Sequence, residues 1–248
     1  MEYYGYIEKM VVLGNSCCCS SCCFDWSRLS TSFLTSTDLS RLIESYKLKK
    51  RKIRERIKEF RKNFYKSNKK IFSELAFCIC TPQSKAEICD ERIKKIEKNG
   101  ILFNGNKEEI ASYLSGIRFP RKKAEYIVKS RELFERGGKI RIKERIKEIG
   151  DAKKIREWLV ENVFGIGYKE ASHFLRNIGL GKDMAILDRH ILKSLKSIGI
   201  IEEIPKSLTK KKYLKIERKM EVFSKKIKIP MDELDLLLWS ENTGKIFK

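Results

Sequence analysis

From Thr37 nearly to its end, the apolar side chains of this 248-residue chain recur every three or four positions, a spacing that fits helices and leaves little room for strands. Ile53, Ile57, Phe60 and Phe64 follow i, i+4, i+7 and i+11, and Ile71, Phe72, Leu75, Ala76 and Ile79 keep the same rule. Later stripes are Ala171, Phe174, Leu175 and Ile178, then Ile191, Leu195 and Ile198, then Ile216, Met220, Phe223 and Ile227. Caps and breakers divide the run. Ser84 can cap a helix ending near Asn99–Gly100, and Pro120 can open one that ends at Gly137–Gly138. Asp151 can cap the next, with Ile155 and Leu159 inward, and Pro230 opens the last, "MDELDLLLW", which stops near Gly244. About ten helices and no alternating strand are expected, so the class is all-α.

The charge is a statement about partners. Lysine and arginine total 55 against 33 acidic residues, a net of +22, most often the mark of a protein that binds nucleic acid and less often of one that binds an anionic membrane surface. The first 40 residues hold two cations and four anions, so residues 41–248 carry +24. The lysine-rich run "KLKKRKIRERIKEFRK" has isoleucines at helical spacing, so it is a helix face rather than a disordered tail. No apolar run is long enough for a transmembrane helix, and no membrane role is expected.

Residues 1–37 are rich in Ser, Thr and Cys without a sustained period, and are expected to be an ill-ordered extension or a mis-assigned start, with Met10 one alternative. The apolar run after Lys9 is too short for a signal peptide. Cys19 and Cys22 form a C-x-x-C with no second pair or histidine nearby, so no metal is expected there. Cys89 shares helical spacing with Ile93 and Ile96, which suits a buried thiol in a reduced cytosolic protein.

The chemistry concentrates in "FGIGYKEASHFLRN", residues 164–177. Gly165 and Gly167 let the chain turn sharply and expose N–H groups beside a helix start, a seat for a phosphate. They can equally be the C-cap and spacer of a plain helix–helix connection, and the +24 charge favours the phosphate. Lys169 lies in the first turn of the second helix, where the positive end of the dipole disfavours a cation, and a neutral lysine amine is a nucleophile. Nineteen residues on, Asp188 of "AILDRHILKSL" precedes another stripe as an N-cap. A carboxylate in that position can also stabilise a developing cation and move a proton. His173 and His190 flank these motifs without a third ligand, so a metal is not expected.

"GIGYKEASHFLRN" followed by "DRHIL" resembles the helix-hairpin-helix superfamily of base-excision DNA glycosylases, and the ending "ELDLLLWSENTGKIFK" resembles its archaeal-type, second class of 8-oxoguanine DNA glycosylase/lyases. The match covers about residues 38–248, with the hairpin at about 151–178. The resemblance implies two helical subdomains with the active site in the cleft between them. It implies a monomer acting on double-stranded DNA that contains 8-oxoguanine, in the cytoplasm with the nucleoid, and flipping the damaged base out of the duplex. On matching positions Lys169 attacks the sugar C1′, Asp188 stabilises the charge that forms, and β-elimination from the Schiff base nicks the strand.

The same resemblance implies that the α-carboxylate of Lys248 accepts the N7 hydrogen that 8-oxoguanine has and guanine lacks. Ile246 and Phe247 argue for a docked rather than frayed terminus. Trp239 stacks on the flipped purine or is simply core, and Phe119 is a wedge beside Arg118, which faces the orphaned base, or a hydrophobic staple. No cysteine follows Cys89, so no iron–sulfur cluster is expected and no cofactor is implied. A glycosylase for another oxidised base and a non-catalytic DNA-binding module are the competing functions.

Overall fold

A computed structural model describes residues 36–248. The cysteine cluster and the expected extension lie outside the described residues, apart from the extension's last two positions, which begin the first helix. The elements run α1 (Ser36–Asn63), α2 (Asn68–Cys80), α3 (Ala86–Lys98), the single turn α4 (Ile101–Asn104), α5 (Lys107–Tyr113) and α6 (Pro120–Phe134). Then come β1 (Glu135–Arg136), β2 (Lys139–Ile140), α7 (Ile142–Ile149), α8 (Ala152–Asn162), α9 (Tyr168–Asn177), α10 (Arg189–Ser197), α11 (Lys210–Ile227) and α12 (Met231–Thr243). None of these helices is long and apolar enough to cross a membrane.

The stripes close into two apolar clusters. One gathers the inner faces of α2 to α9, from Ile71 through Phe77, Ile127 and Leu159 to Ile178 and Met184. The other joins α1 to the C-terminal helices, with Ile53, Ile57, Leu187, Leu195, Tyr213, Met220 and Leu237. The long helix α1 serves both, because Phe60 lies in the second cluster while Phe64, one residue past the helix end, packs on the first. The chain passes between clusters at Met184–Ala185, just ahead of Asp188.

Several ends form as their residues dictate. Ser67 Oγ accepts from the Lys70 N–H at 3.3 Å, Asp151 Oδ1 from Lys154 at 2.9 Å, and Gly244 closes α12 in the left-handed region. Two expectations fail. Ser84 does not cap α3, whose N-cap is Lys85. Its Oγ accepts from the Arg118 N–H at 3.0 Å and from Lys123 Nζ at 3.1 Å, because a buried ammonium needs every acceptor within reach. Helix α6 stops at Phe134 rather than at Gly137–Gly138. Those glycines, both at positive φ, turn a hairpin in which Glu135 pairs with Ile140 and Arg136 with Lys139. Strands of two residues leave no alternation to read.

The buried thiol expected at Cys89 is present, 3.2 Å from the Cys80 carbonyl, and burial pushes it up to about 11. Burial also raises Cys78 and Cys80, so these thiols are packing groups rather than nucleophiles.

Candidate active site

Helix α8 turns into α9 through Phe164, Gly165, Ile166 and Gly167, with Val163 and Ile166 buried beneath the turn. Gly165 sits at φ +77°, and a Cβ there would come within 2.8 Å of Tyr126 Cε2. Tyr126 also stacks on Phe164, 6.3 Å between centroids, and Lys129 Nζ lies 4.7 Å over the Phe164 ring. The turn therefore lies flat against α6. Gly165→Ala adds both the clash and the backbone strain, and should cost about 1–3 kcal/mol, read as a lower melting temperature together with weaker duplex binding. Gly167 is different. Its N–H donates to Glu170 Oε2 at 3.2 Å, so this amide is already taken.

Glu170 does more than close that turn. Its other oxygen lies 3.1 Å from Lys169 Nζ, which also reaches Thr81 Oγ1 at 3.5 Å, at the end of α2. The Lys169 side chain is 22% exposed, so the amine is confined without being sealed from solvent. Nearby, Lys123 is 5% exposed and, among the described residues, donates only to neutral acceptors, the carbonyls of Cys80 and Pro82 at 2.7 Å each and Ser84 Oγ. Burial pulls its pKa below the usual lysine value, and the charge of Lys169 works in the same direction.

Asp188 is the N-cap of α10, its Oδ1 accepting from the Ile191 N–H at 2.8 Å. No hydrogen bond or ion pair among the described residues joins it to Lys169. Its charge is felt instead at Arg176 and Asp235. Asp235 is pushed up to about 6, chiefly by burial, with Arg176 opposing and Asp188 adding to the rise.

The last residues are docked. Phe247 packs on the first apolar cluster, while Ile246 and the half-buried Trp239 pack on the second. Lys248 Nζ is 3.1 Å from Glu74 Oε2 and 2.6 Å from Asp90 Oδ1, and 4.4 Å over the Phe77 ring. Burial opposes this ammonium, but Glu74 and Asp90 together outweigh it and raise its pKa. His173, buried and edge-on to Phe77, feels the Lys248 charge and is held well below the usual histidine range, mostly by burial.

Phe119 is not a staple. It is 56% exposed at φ +58°, a conformation costly for a bulky residue, with the Arg118 guanidinium 5.0 Å over its ring. Of the residues near Lys169 that sequence reasoning missed, Glu170 had a signal, since it stands three positions after Gly167 at capping-box spacing. Thr81 and Lys123 had none, because only the tertiary fold brings α2 and α6 to the hairpin.

The chain resembles known proteins over most of its length. A family model described as 8-oxoguanine DNA glycosylase matches residues 53–229. The 8-oxoguanine DNA glycosylase/AP lyase of Fusobacterium nucleatum is 46% identical over 205 residues, 82% of this chain and 94% of that one. That of Korarchaeum cryptofilum is 44% identical over 198 residues, covering 79% and 90%. Among solved structures, the Methanocaldococcus jannaschii 8-oxoguanine glycosylase/lyase in complex with a 15mer DNA containing 8-oxoguanine superposes with a TM-score of 0.76 at 40% identity, covering 84% of this chain and all of that one. A hairpin carrying a confined lysine, a docked C-terminal segment and these likenesses lead to one conclusion: the chain belongs to the helix-hairpin-helix 8-oxoguanine DNA glycosylase family.

Proposed function

We propose that this protein is a bifunctional DNA glycosylase and AP lyase that removes 8-oxoguanine from double-stranded DNA, with residues 38–248 as its glycosylase domain. The observation that carries the reading is the Lys169 amine, held by Glu170 and Thr81 where the hairpin meets the α2 end. In its neutral form Lys169 Nζ bonds to the sugar C1′ while the C1′–N9 bond breaks and its electron pair leaves with the base. Asp188 stabilises the positive charge that develops on the sugar and assists proton transfer to the leaving base. The sugar ring then opens to a Schiff base, and loss of a C2′ proton expels the 3′ phosphate. On this reading one chain supplies every residue named, and it acts as a monomer on nucleoid DNA in the cytoplasm.

Base selection falls to the other end of the chain. The α-carboxylate of Lys248 accepts the N7 hydrogen of 8-oxoguanine and repels the bare N7 of guanine, and Trp239 stacks on the flipped ring. The Lys248 side chain, fastened by Glu74 and Asp90, supports this role by fixing the residue that bears the carboxylate. Phe119, exposed on strained backbone, enters the space the base leaves, with Arg118 beside the orphaned partner. Gly165 seats a backbone phosphate.

The test is single-turnover strand cleavage on a panel of lesion duplexes, with 8-oxoguanine expected to react fastest. Asp188→Asn should slow base release by about 10²–10³-fold with little change in DNA affinity, and an unchanged rate would remove Asp188 from the mechanism. Residues appended after Lys248 should lower the preference for 8-oxoguanine over guanine by roughly ten- to a hundredfold, while nicking at a preformed abasic site continues. Unaltered preference would reject the carboxylate as the reader.

A further inference from the structure

Asp188 is delivered by Ala185–Leu187, three residues without regular structure that lie buried where the chain passes between the clusters. Buried backbone groups outside helices and strands must find partners elsewhere. Here side chains supply most of them. The Ala185 N–H donates to Glu217 Oε1 at 2.9 Å, and the Ala185 carbonyl accepts from the Tyr213 hydroxyl at 2.6 Å. The Ile186 N–H donates to Asp235 Oδ1 at 3.0 Å, and the Leu187 N–H to the Tyr213 oxygen at 3.4 Å. Tyr213 and Glu217 come from α11 and Asp235 from α12.

Each of the two carboxylates is in turn gripped by one arm of the hairpin. Arg156, on α8 and 2% exposed, donates Nη1 to Glu217 Oε1 at 2.7 Å and Nη2 to Oε2 at 2.9 Å, with Nη1 also 3.2 Å from Ser172 Oγ on α9. Arg176 on α9 donates Nη1 to Asp235 Oδ2 at 2.7 Å. Arg176 stands seven residues after Lys169, two turns along the same face of one helix. Buried ion pairs of this kind do not by themselves favour folding over a well-packed apolar alternative. What they supply is a fixed geometry.

We propose that Glu217, Tyr213 and Asp235 are positioning residues for base release: they hold the segment that bears Asp188, and Arg156 and Arg176 register it to the two hairpin helices, one of which bears Lys169. This rests on the functional reading above and goes beyond it, since none of the five need touch DNA. A displacement of about 1 Å in such a pair of groups can cost about a hundredfold in rate. The spacing of amine and acid is thus built from side chains remote from the substrate.

The experiment is a double-mutant cycle between the anchor and the acid it holds. Tyr213→Phe removes one hydroxyl and keeps the ring. It should slow single-turnover release of 8-oxoguanine at least about tenfold, with DNA affinity unchanged, and slow the Asp188→Asn protein less than about twofold. A role confined to stability would lower the melting temperature and leave the rate, measured well below it, alike in both backgrounds. Equal slowing in both backgrounds, or a parent-like rate in Tyr213→Phe, would overturn the proposal. Glu217→Gln, which keeps an acceptor for the Ala185 N–H but loses the charge facing Arg156, carries the same cycle if the first variant does not fold. A parent protein that releases no 8-oxoguanine while binding the duplex would sink the functional reading itself, a distinct result.

Discussion

Replacing Lys169 by glutamine abolishes the covalent complex that borohydride traps on an 8-oxoguanine duplex, with a loss of at least about 10³-fold relative to the parent, and leaves salt-sensitive duplex binding nearly intact. Glutamine keeps the length and a polar end but has no amine to form the Schiff base. Binding survives because the +24 of residues 41–248 is spread over the chain, and one cation among so many changes the phosphate attraction little. Its neighbours sharpen the expectation. Glu170 and Thr81 hold the Lys169 nitrogen in place, and the buried Lys123 donates to carbonyls and a hydroxyl, so it is not free to substitute as nucleophile. Trapping at the parent level by the glutamine variant would show that another amine does the chemistry. A loss of binding along with trapping would show that Lys169 is mainly a phosphate contact.

Arg156→Met destabilises the fold by about 3–5 kcal/mol, the usual cost of leaving a buried charge without its partner. At about 2–4 °C per kcal/mol for a chain of this size, the melting temperature falls by roughly 6–20 °C. Glu217 is the reason. Its carboxylate is buried, and without the guanidinium it retains, among the described residues, only the Ala185 N–H as a hydrogen-bond donor. Adding Glu217→Leu to Arg156→Met should recover part of the loss, because two apolar groups need no charge partner. Thermal melts by circular dichroism read both steps. A single variant that melts within a degree or two of the parent would mean that water reaches Glu217 and that the pair is not sealed.

The helices were readable because each carries its own period and its own punctuation. Ile191 and Leu195 mark α10, and Asp188 announces its start with a side chain that reaches three residues forward. Lys169 stands out as a candidate for a similar reason, since the glycine turn, the helix start and the lysine lie within five residues. The β1–β2 hairpin was not, because two-residue strands give no pattern. Ser84 looked like a cap on local grounds. It serves instead the ammonium of Lys123, 39 residues away, a demand that the local sequence does not record.

The sequence by itself determined the class, the run of helices and the basic character, and it singled out Lys169 and Asp188 as the candidates for the chemistry, because periodicity, capping and motif spacing act over a few residues. Only the tertiary structure decided which charged groups are buried and whom they face. Arg156 and Arg176 read along the chain as two more cations on a basic surface. Their meaning appears when Glu217, 61 positions on from the first, and Asp235, 59 on from the second, fold over them. The physical reason is that desolvation is a property of the assembled interior. A charge stays cheap in water at any position, and becomes a constraint on geometry only when packing removes the water and leaves one partner within reach.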